Sequence, residues 1–233
     1  FGSEARGEQT LRTDIDNGII FDDPKPEELE VTQKYFLRLG TRVCSWLNAA
    51  GYDYCRGDVM AQNIKWCQPL SVWEKYFVDT VNAAKQEELA TINIIFDFKT
   101  VYGDTKLTSH LRQSLLATLQ NAHAFFFEMA QITLQYKPPL GFFGNIQTEA
   151  SDDKSPAFNV KAALLPLINF ARIYALKNGI EDTATLARLN ALQIKGLLVE
   201  SSLNELTQAF GVLLKMRLSH QAHQILQHLK PDN

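Results

Sequence analysis

Apolar residues follow two regimes along this chain. Up to about residue 103, stretches of two-residue alternation are mixed with stretches of helical spacing; beyond it only the helical spacing recurs. Gly18-Ile19-Ile20-Phe21 is a short apolar run with strand character. Asp22 to Glu28, rich in proline and acid, reads as a turn followed by a helix start. Leu29, Tyr35, Phe36, Leu39, Val43, Trp46 and Leu47 then keep helical spacing and stop at Gly51, a helix expected to cover one face of a sheet. Residues 52–68 are irregular, with turn residues at Gly57 and Asn63. Pro69 to Ala83 predicts a helix with Trp73, Phe77 and Val81 facing inward, and Trp66 reads as a core residue. Thr91 to Lys99, TINIIFDFK, is the strongest strand pattern, with Ile94, Phe96 and Phe98 on one face and Asn93, Ile95 and Asp97 on the other.

From Asp104 the pattern changes. Leu107, Leu111, Leu115, Leu119, Ala122, Phe126 and Met129 predict one long helix to about Tyr136, ended by Pro138-Pro139 and Gly141. Phe125-Phe126-Phe127 reads as packing. Residues 142–156, with Asp152-Asp153-Lys154-Ser155, predict an exposed loop. Helical runs follow over roughly 157–178, 182–195 and 201–229, and no strand pattern appears after Lys99. The expected class is α+β: a small mixed sheet with flanking helices over 1–103, then an all-α helical bundle over 104–233. No internal repeat or low-complexity tract is visible.

Composition narrows the partners. With 233 residues and 45% apolar content the chain can bury a substantial core. A net charge of −3 gives no reason to expect a nucleic-acid surface. Cys44, Cys55 and Cys67 lack CxxC spacing, which points to reduced thiols in a cytoplasmic protein rather than a zinc site or a disulfide framework. No apolar run approaches the roughly 20 residues that span a bilayer, and no signal peptide is seen. Both ends look cut: a Gly-Ser turn at the start would normally follow a strand, and Lys230-Pro231-Asp232-Asn233 stops just after a helical pattern.

The candidate chemistry sits at the start. Gly2-Ser3 is followed by Asp14-Ile15-Asp16 at or near the strand start. Side chains at i and i+2 of a strand share a face. Two carboxylates there, each with a free pKa of about 4, repel unless a cation lies between them. Mg²⁺, held by one or two carboxylates plus substrate phosphates, is the natural occupant. Gly2 would let the backbone approach a phosphate closely, and Ser3 offers it a hydroxyl and an amide. Read as turn and cap residues, the two aspartates would carry no chemistry.

Gly-Ser, this spacer, then Asp-x-Asp resembles the signature of the DNA polymerase beta nucleotidyltransferase superfamily. The longer string GSEARGEQTLRTDIDN is similar to a nucleotidyltransferase family of bacterial signalling proteins. That family is related to protein-PII uridylyltransferase and is often fused to CBS and cyclic-nucleotide-binding domains. The likeness continues through GDVMAQN (57–63), IIFDFKTVYGD (94–104), PPLGFFGN (138–145), RIYAL (172–176), TLARL (185–189) and RLSHQ (217–221). It implies a nucleotidyltransferase domain over 1–103 and a substrate-binding helical domain over 104–233, with regulatory domains upstream. The implied reaction moves AMP or UMP from ATP or UTP to a hydroxyl of a protein or small molecule. Mg²⁺ or Mn²⁺ would be held as a pair of ions about 3.5–4 Å apart.

The resemblance assigns Asp14, Asp16 and Asp97 as catalytic and metal-binding, Gly2 and Ser3 to the phosphates, and Arg6, positioned by Glu8, as a cation for them, with Arg12 weaker. Lys161 and Arg172 are further nucleotide-binding candidates, and Asp58 a third acid. Asn159-Val160-Lys161 departs from the Asp-x-Lys that the family usually shows here. Plainer readings stand beside each: an Asp97 ion pair with Lys99 or Arg6, an Arg6 pair with Glu8 or Glu4, helix-acid partners such as Glu181 or Glu200 for Lys161 and Arg172, and a solvated turn at Asp58. His220 and His223 share a helix face, but with His228 they read as ordinary surface or core histidines. Two other functions remain open: a nucleotide-binding regulatory module with little turnover, and an interaction protein that works through its bundle.

Overall fold

The computed structural model describes residues 1–83, 93–136, 149–150, 156–157 and 159–232. By its contacts the chain separates into two compact units, Phe1–Gln9 with Thr13–Phe125, and Thr10–Arg12 with Phe126–Asn233.

In the first unit a short helix α1 (Gly2–Arg6) precedes β1 (Asp14–Ile15) and β2 (Ile19–Phe21). A 3-10 turn starting at Pro26 leads into α2 (Leu29–Ala49). Then come β3 (Asp53–Tyr54), β4 (Cys67–Pro69), α3 (Leu70–Ala83) and α4 (Thr105–Leu119). β1 pairs with β3 and β2 with β4, both in parallel. The mixed α+β class holds, but among the described residues the strands are short and pair two by two. Helix α4, where the sequence pattern turns purely helical, packs in this first unit against α3.

Helix α2 turns only part of its apolar stripe inward. Tyr35 and Trp46 are 64% and 65% exposed, whereas Gly40 and Cys44 are buried. The reason is a close approach: a Cβ at Gly40 would fall 2.3 Å from the Ala61 carbonyl oxygen. Only glycine lets the helix lie against that loop. Beneath lies a small core of Ile15, Cys44, Met60 and Ala61, flanked by Ile19, Leu47 and Cys55. A second, aromatic core joins Phe77, Phe96, Phe98 and Phe125. Trp66 and Trp73 pack with Phe1, and the Trp73 indole donates to Ile19 O at 3.1 Å.

Residues 93–99 correct the strand expectation; Thr91 and Ile92 lie outside the described residues. Asn93–Phe96 is a 3-10 turn, followed by an irregular stretch. A strand needs a neighbour for its peptide groups. Here Arg112 takes the Phe96 and Phe98 carbonyls at 2.9 and 2.8 Å, and Gly2 N–H donates to the Asp97 carbonyl at 3.0 Å. Ile95, Phe96, Asp97 and Phe98 are buried consecutively, without alternation. Their apolar, β-branched character reflects depth, not pairing.

The second unit contains α5 (His123–Gln135) from Phe126 on, α6 (Val160–Lys177), α7 (Thr185–Ile194) and α8 (Glu200–Leu226). α6 packs on both α7 and α8. Val160, Leu164, Ile168 and Phe210 form one cluster; Ala175, Ile180 and Leu192 form another. Phe126 is buried but Phe127 is 60% exposed, so that aromatic triplet is not all packing. Glu149–Ala150 and Pro156–Ala157 form a short antiparallel pair that the helical reading of this half did not foresee. The expected Pro138-Pro139 helix stop and the acidic loop at Asp152-Asp153 lie outside the described residues. Arg12 donates to Pro231 O at 2.9 Å, Gln221 to Asp232 O at 2.7 Å, and Asp232 N–H to Gln224 Oε1 at 2.9 Å, so Asp232 lies back on α8.

Candidate active site

The parallel register sets Asp14 beside Asp53 and Ile15 beside Tyr54. One step further along each chain lie Asp16 and Cys55. Ile15 turns into the core at 3% exposed, which leaves its two neighbours to the opposite face. One carboxylate oxygen each of Asp14 and Asp16 and the Cys55 sulfur all lie within 4.8 Å of one another. The shared face predicted from the i, i+2 spacing is therefore present.

Asn17 fixes the end of this segment. Its N–H donates to Val59 O at 3.1 Å, and its Oδ1 accepts from Ala61 N–H at 2.8 Å and from the Cys44 thiol at 3.5 Å. Burial and the adjoining Asp16 carboxylate push the Cys55 thiol up to about 11, so it stays protonated and donates to Asp16.

The Gly-Ser helix stands next to these acids. Gly2 has φ +57°, and a Cβ there would meet Ile94 Cγ1 at 2.7 Å and lie 3.7 Å from Asp16 Oδ2. The Phe1 nitrogen donates to Asp16 O at 2.8 Å. Ser3 is half-buried on the same turn. Arg6 is gripped from two sides, by Glu8 through Nε and by Asp97 through Nη1, both at 2.7 Å. Burial works against its charge, but Asp97 and Glu8 outweigh it and raise the Arg6 pKa. Lys99 pairs with Glu4 at 3.0 Å near the surface.

The structure thus brings Asp14 and Asp16 together, and adds Cys55. It gives Asp97, fully buried, to Arg6. Asp58 sits in a left-handed turn at φ +53°, its carboxylate accepting from Asn63 at 2.7 Å, outside the acidic group. Lys161 and Arg172 belong to the second unit. Lys161 is exposed on the first turn of α6; Arg172 is buried and donates to Asn169 Oδ1 at 2.7 Å. Asn159 caps α6 by accepting from Ala162 N–H at 2.9 Å, a task that Asn and Asp perform equally well. His220 meets Asp232 at 2.8 Å and His223 meets Gln227 at 3.0 Å, so the helical pair has local partners.

Sequence reasoning missed Asn17, Cys55 and Arg112. Asn17 follows the Asp pair directly and could have been read as its anchor. Cys55 becomes visible only through the pairing of two-residue strands.

A hard divalent cation fits the donor set. Two carboxylates converge from one strand end, and the third group is a protonated thiol that need not ligate it. No helix among the described residues is long and apolar enough to cross a membrane.

Residues 1–87 match a family model described as "Putative nucleotidyltransferase DUF294", and residues 123–233 match one described as "Putative nucleotidyltransferase substrate binding domain". Neither the curated proteins nor the solved structures contain a match to the chain.

Proposed function

We propose that this chain, whose two matched regions support a nucleotidyltransferase family, is a metal-dependent transferase moving AMP or UMP from ATP or UTP to a hydroxyl of a protein or small molecule, in the manner of protein-PII uridylyltransferase. A cytoplasmic bacterial signalling role, with CBS or cyclic-nucleotide-binding domains upstream, belongs to the same proposal. The carrying observation is the convergence of Asp14 and Asp16 beside the Gly2-Ser3 helix.

In this reading the acceptor hydroxyl oxygen forms a new bond to the α-phosphorus. The bond to the bridging oxygen breaks, pyrophosphate leaves with that electron pair, and the hydroxyl proton passes to solvent. Asp14 and Asp16 hold Mg²⁺ or Mn²⁺, which when bound neutralises phosphate charge. Ser3 offers its hydroxyl to the same phosphates, while Gly2 keeps the backbone close to Asp16. Asp97 holds Arg6 through Oδ2, and thereby the Gly-Ser helix. Lys161 and Arg172 enter as nucleotide contacts of the substrate-binding region, Lys161 the more accessible of the two.

The test is calorimetry with ATP and UTP, with and without Mg²⁺, on the wild type and on Asp14→Asn/Asp16→Asn, together with pyrophosphate release. Metal-dependent binding and release, both reduced at least about 100-fold in the variant, support the transferase. Binding without release supports a nucleotide-binding regulatory module, a reading favoured by the matching of Arg6 to two carboxylates. No binding at all ends both.

A further inference from the structure

We infer that Cys55 sets the cation preference of the Asp14–Asp16 pair, by adding a sulfur donor that lets the site take a thiophilic divalent cation such as Cd²⁺ or Zn²⁺ in competition with Mg²⁺. This rests on reading Asp14 and Asp16 as metal carboxylates, but not on nucleotide transfer.

Asp16 and Cys55 each follow directly on the paired residues Ile15 and Tyr54, so the β1–β3 pairing brings the thiol to the side of the carboxylates. All three donor atoms lie within 4.8 Å of one another. Donors bound about 2.0–2.3 Å from one ion stand at most about 4.6 Å apart, so small side-chain rotations close the site. Its rear wall is the apolar cluster of Ile15, Cys44 and Met60, which holds Cys55 partly buried. The other two thiols are of a different kind: Cys44 and Cys67 are fully buried and outside the group.

Hard and soft cations would use this set differently. Mg²⁺ prefers oxygen and keeps its waters, leaving the thiol to donate to Asp16. Cd²⁺ or Zn²⁺ gains from sulfur. On its binding the Cys55 S–H bond breaks, the proton goes to solvent and the sulfur lone pair goes to the cation; nothing is oxidised or reduced.

The test titrates the whole chain with Cd²⁺ alone and follows the ultraviolet thiolate-to-cadmium band, with Mg²⁺ as competitor. The expected result is one saturating equivalent in the wild type and no such band in Cys55→Ser. The Cd²⁺-to-Mg²⁺ affinity ratio should fall at least about tenfold in that variant. A band that survives in Cys55→Ser, an absent band in the wild type, or equal weakening of both cations overturns the proposal. Should Cys55→Ser fold poorly, alkylation of the wild type decides: bound Cd²⁺ must protect Cys55, and unchanged labelling refutes the idea. The Cd²⁺ band without nucleotide binding would sink the transferase reading alone; Mg²⁺-dependent nucleotide binding without the band would sink only the cation preference.

Discussion

Gly40 sits inside a helix, where alanine is ordinarily better by about 1 kcal/mol. Here an added methyl would fall 2.3 Å from a backbone oxygen, which cannot rotate away. Gly211, inside α8, has open space around its Cβ position. The same substitution should therefore change sign. Gly40→Ala should lose about 1–3 kcal/mol of stability, and Gly211→Ala should gain about 0.5–1 kcal/mol; urea unfolding of the two variants checks both. The thiols give a pH dependence. Cys55 and Cys67 are each raised, chiefly by burial, from 9.0 to about 11. A raised folded-state value stabilises the fold below the unfolded thiol value and loses that contribution as pH climbs toward the folded one. The urea midpoint should fall between pH 9 and about 11, and Cys55→Ser/Cys67→Ala should flatten that fall. At this scale Asp14 and Asp16 were legible, because a two-residue spacing needs only a short strand to share a face. Cys55 was not, because its place depends on a partner strand in a register that pairs Asp14 with Asp53, 39 positions on.

The stretch 93–99 shows why an element can be misread while its burial is read correctly. Apolar and β-branched density reports depth; strand identity needs a free neighbouring edge, and that information lies elsewhere in the chain. Arg112 supplies the missing term. Its guanidinium spans the Phe96 and Phe98 carbonyls and covers the Phe98 ring at 3.7 Å. Lysine is a point charge without that planar fork. Arg112→Lys should cost about 1–3 kcal/mol and speed amide exchange of residues 95–98, measured by mass spectrometry, with α2 little affected. Helices were better foretold than strands: α3, α6 and α7 occupy close to the spans their spacing gave, but the one long helix expected to about Tyr136 is two, α4 and α5, parted over residues 120–122. Pairs of two or three residues, such as β3 and β4, carry too few positions for alternation to register at all.

For the molecule as a whole, stability and ligand binding are linked quantities. If the acidic pair holds a cation and a triphosphate, Mg²⁺ with ATP or UTP at about 100 times the dissociation constant should add about 2.7 kcal/mol. A rise in the melting temperature in the wild type, absent from Asp14→Asn/Asp16→Asn, is the expected reading by scanning calorimetry. The −3 charge and mixed class were apparent from composition and pattern. The grouping of the chain into units was not, because contacts decide it: Thr10–Arg12 counts with the second unit while Gln9 and Thr13 count with the first.

That short strap has a practical outcome for anyone dividing the gene. A cut after Phe125 would leave three residues of the second unit on the upstream product. The downstream product would lack Arg12, whose guanidinium meets Pro231 and whose amide meets Gln221; the upstream product would carry three residues whose companions had been left behind. Joining residues 10–12 to the downstream coding region through a designed linker would be the way to restore them.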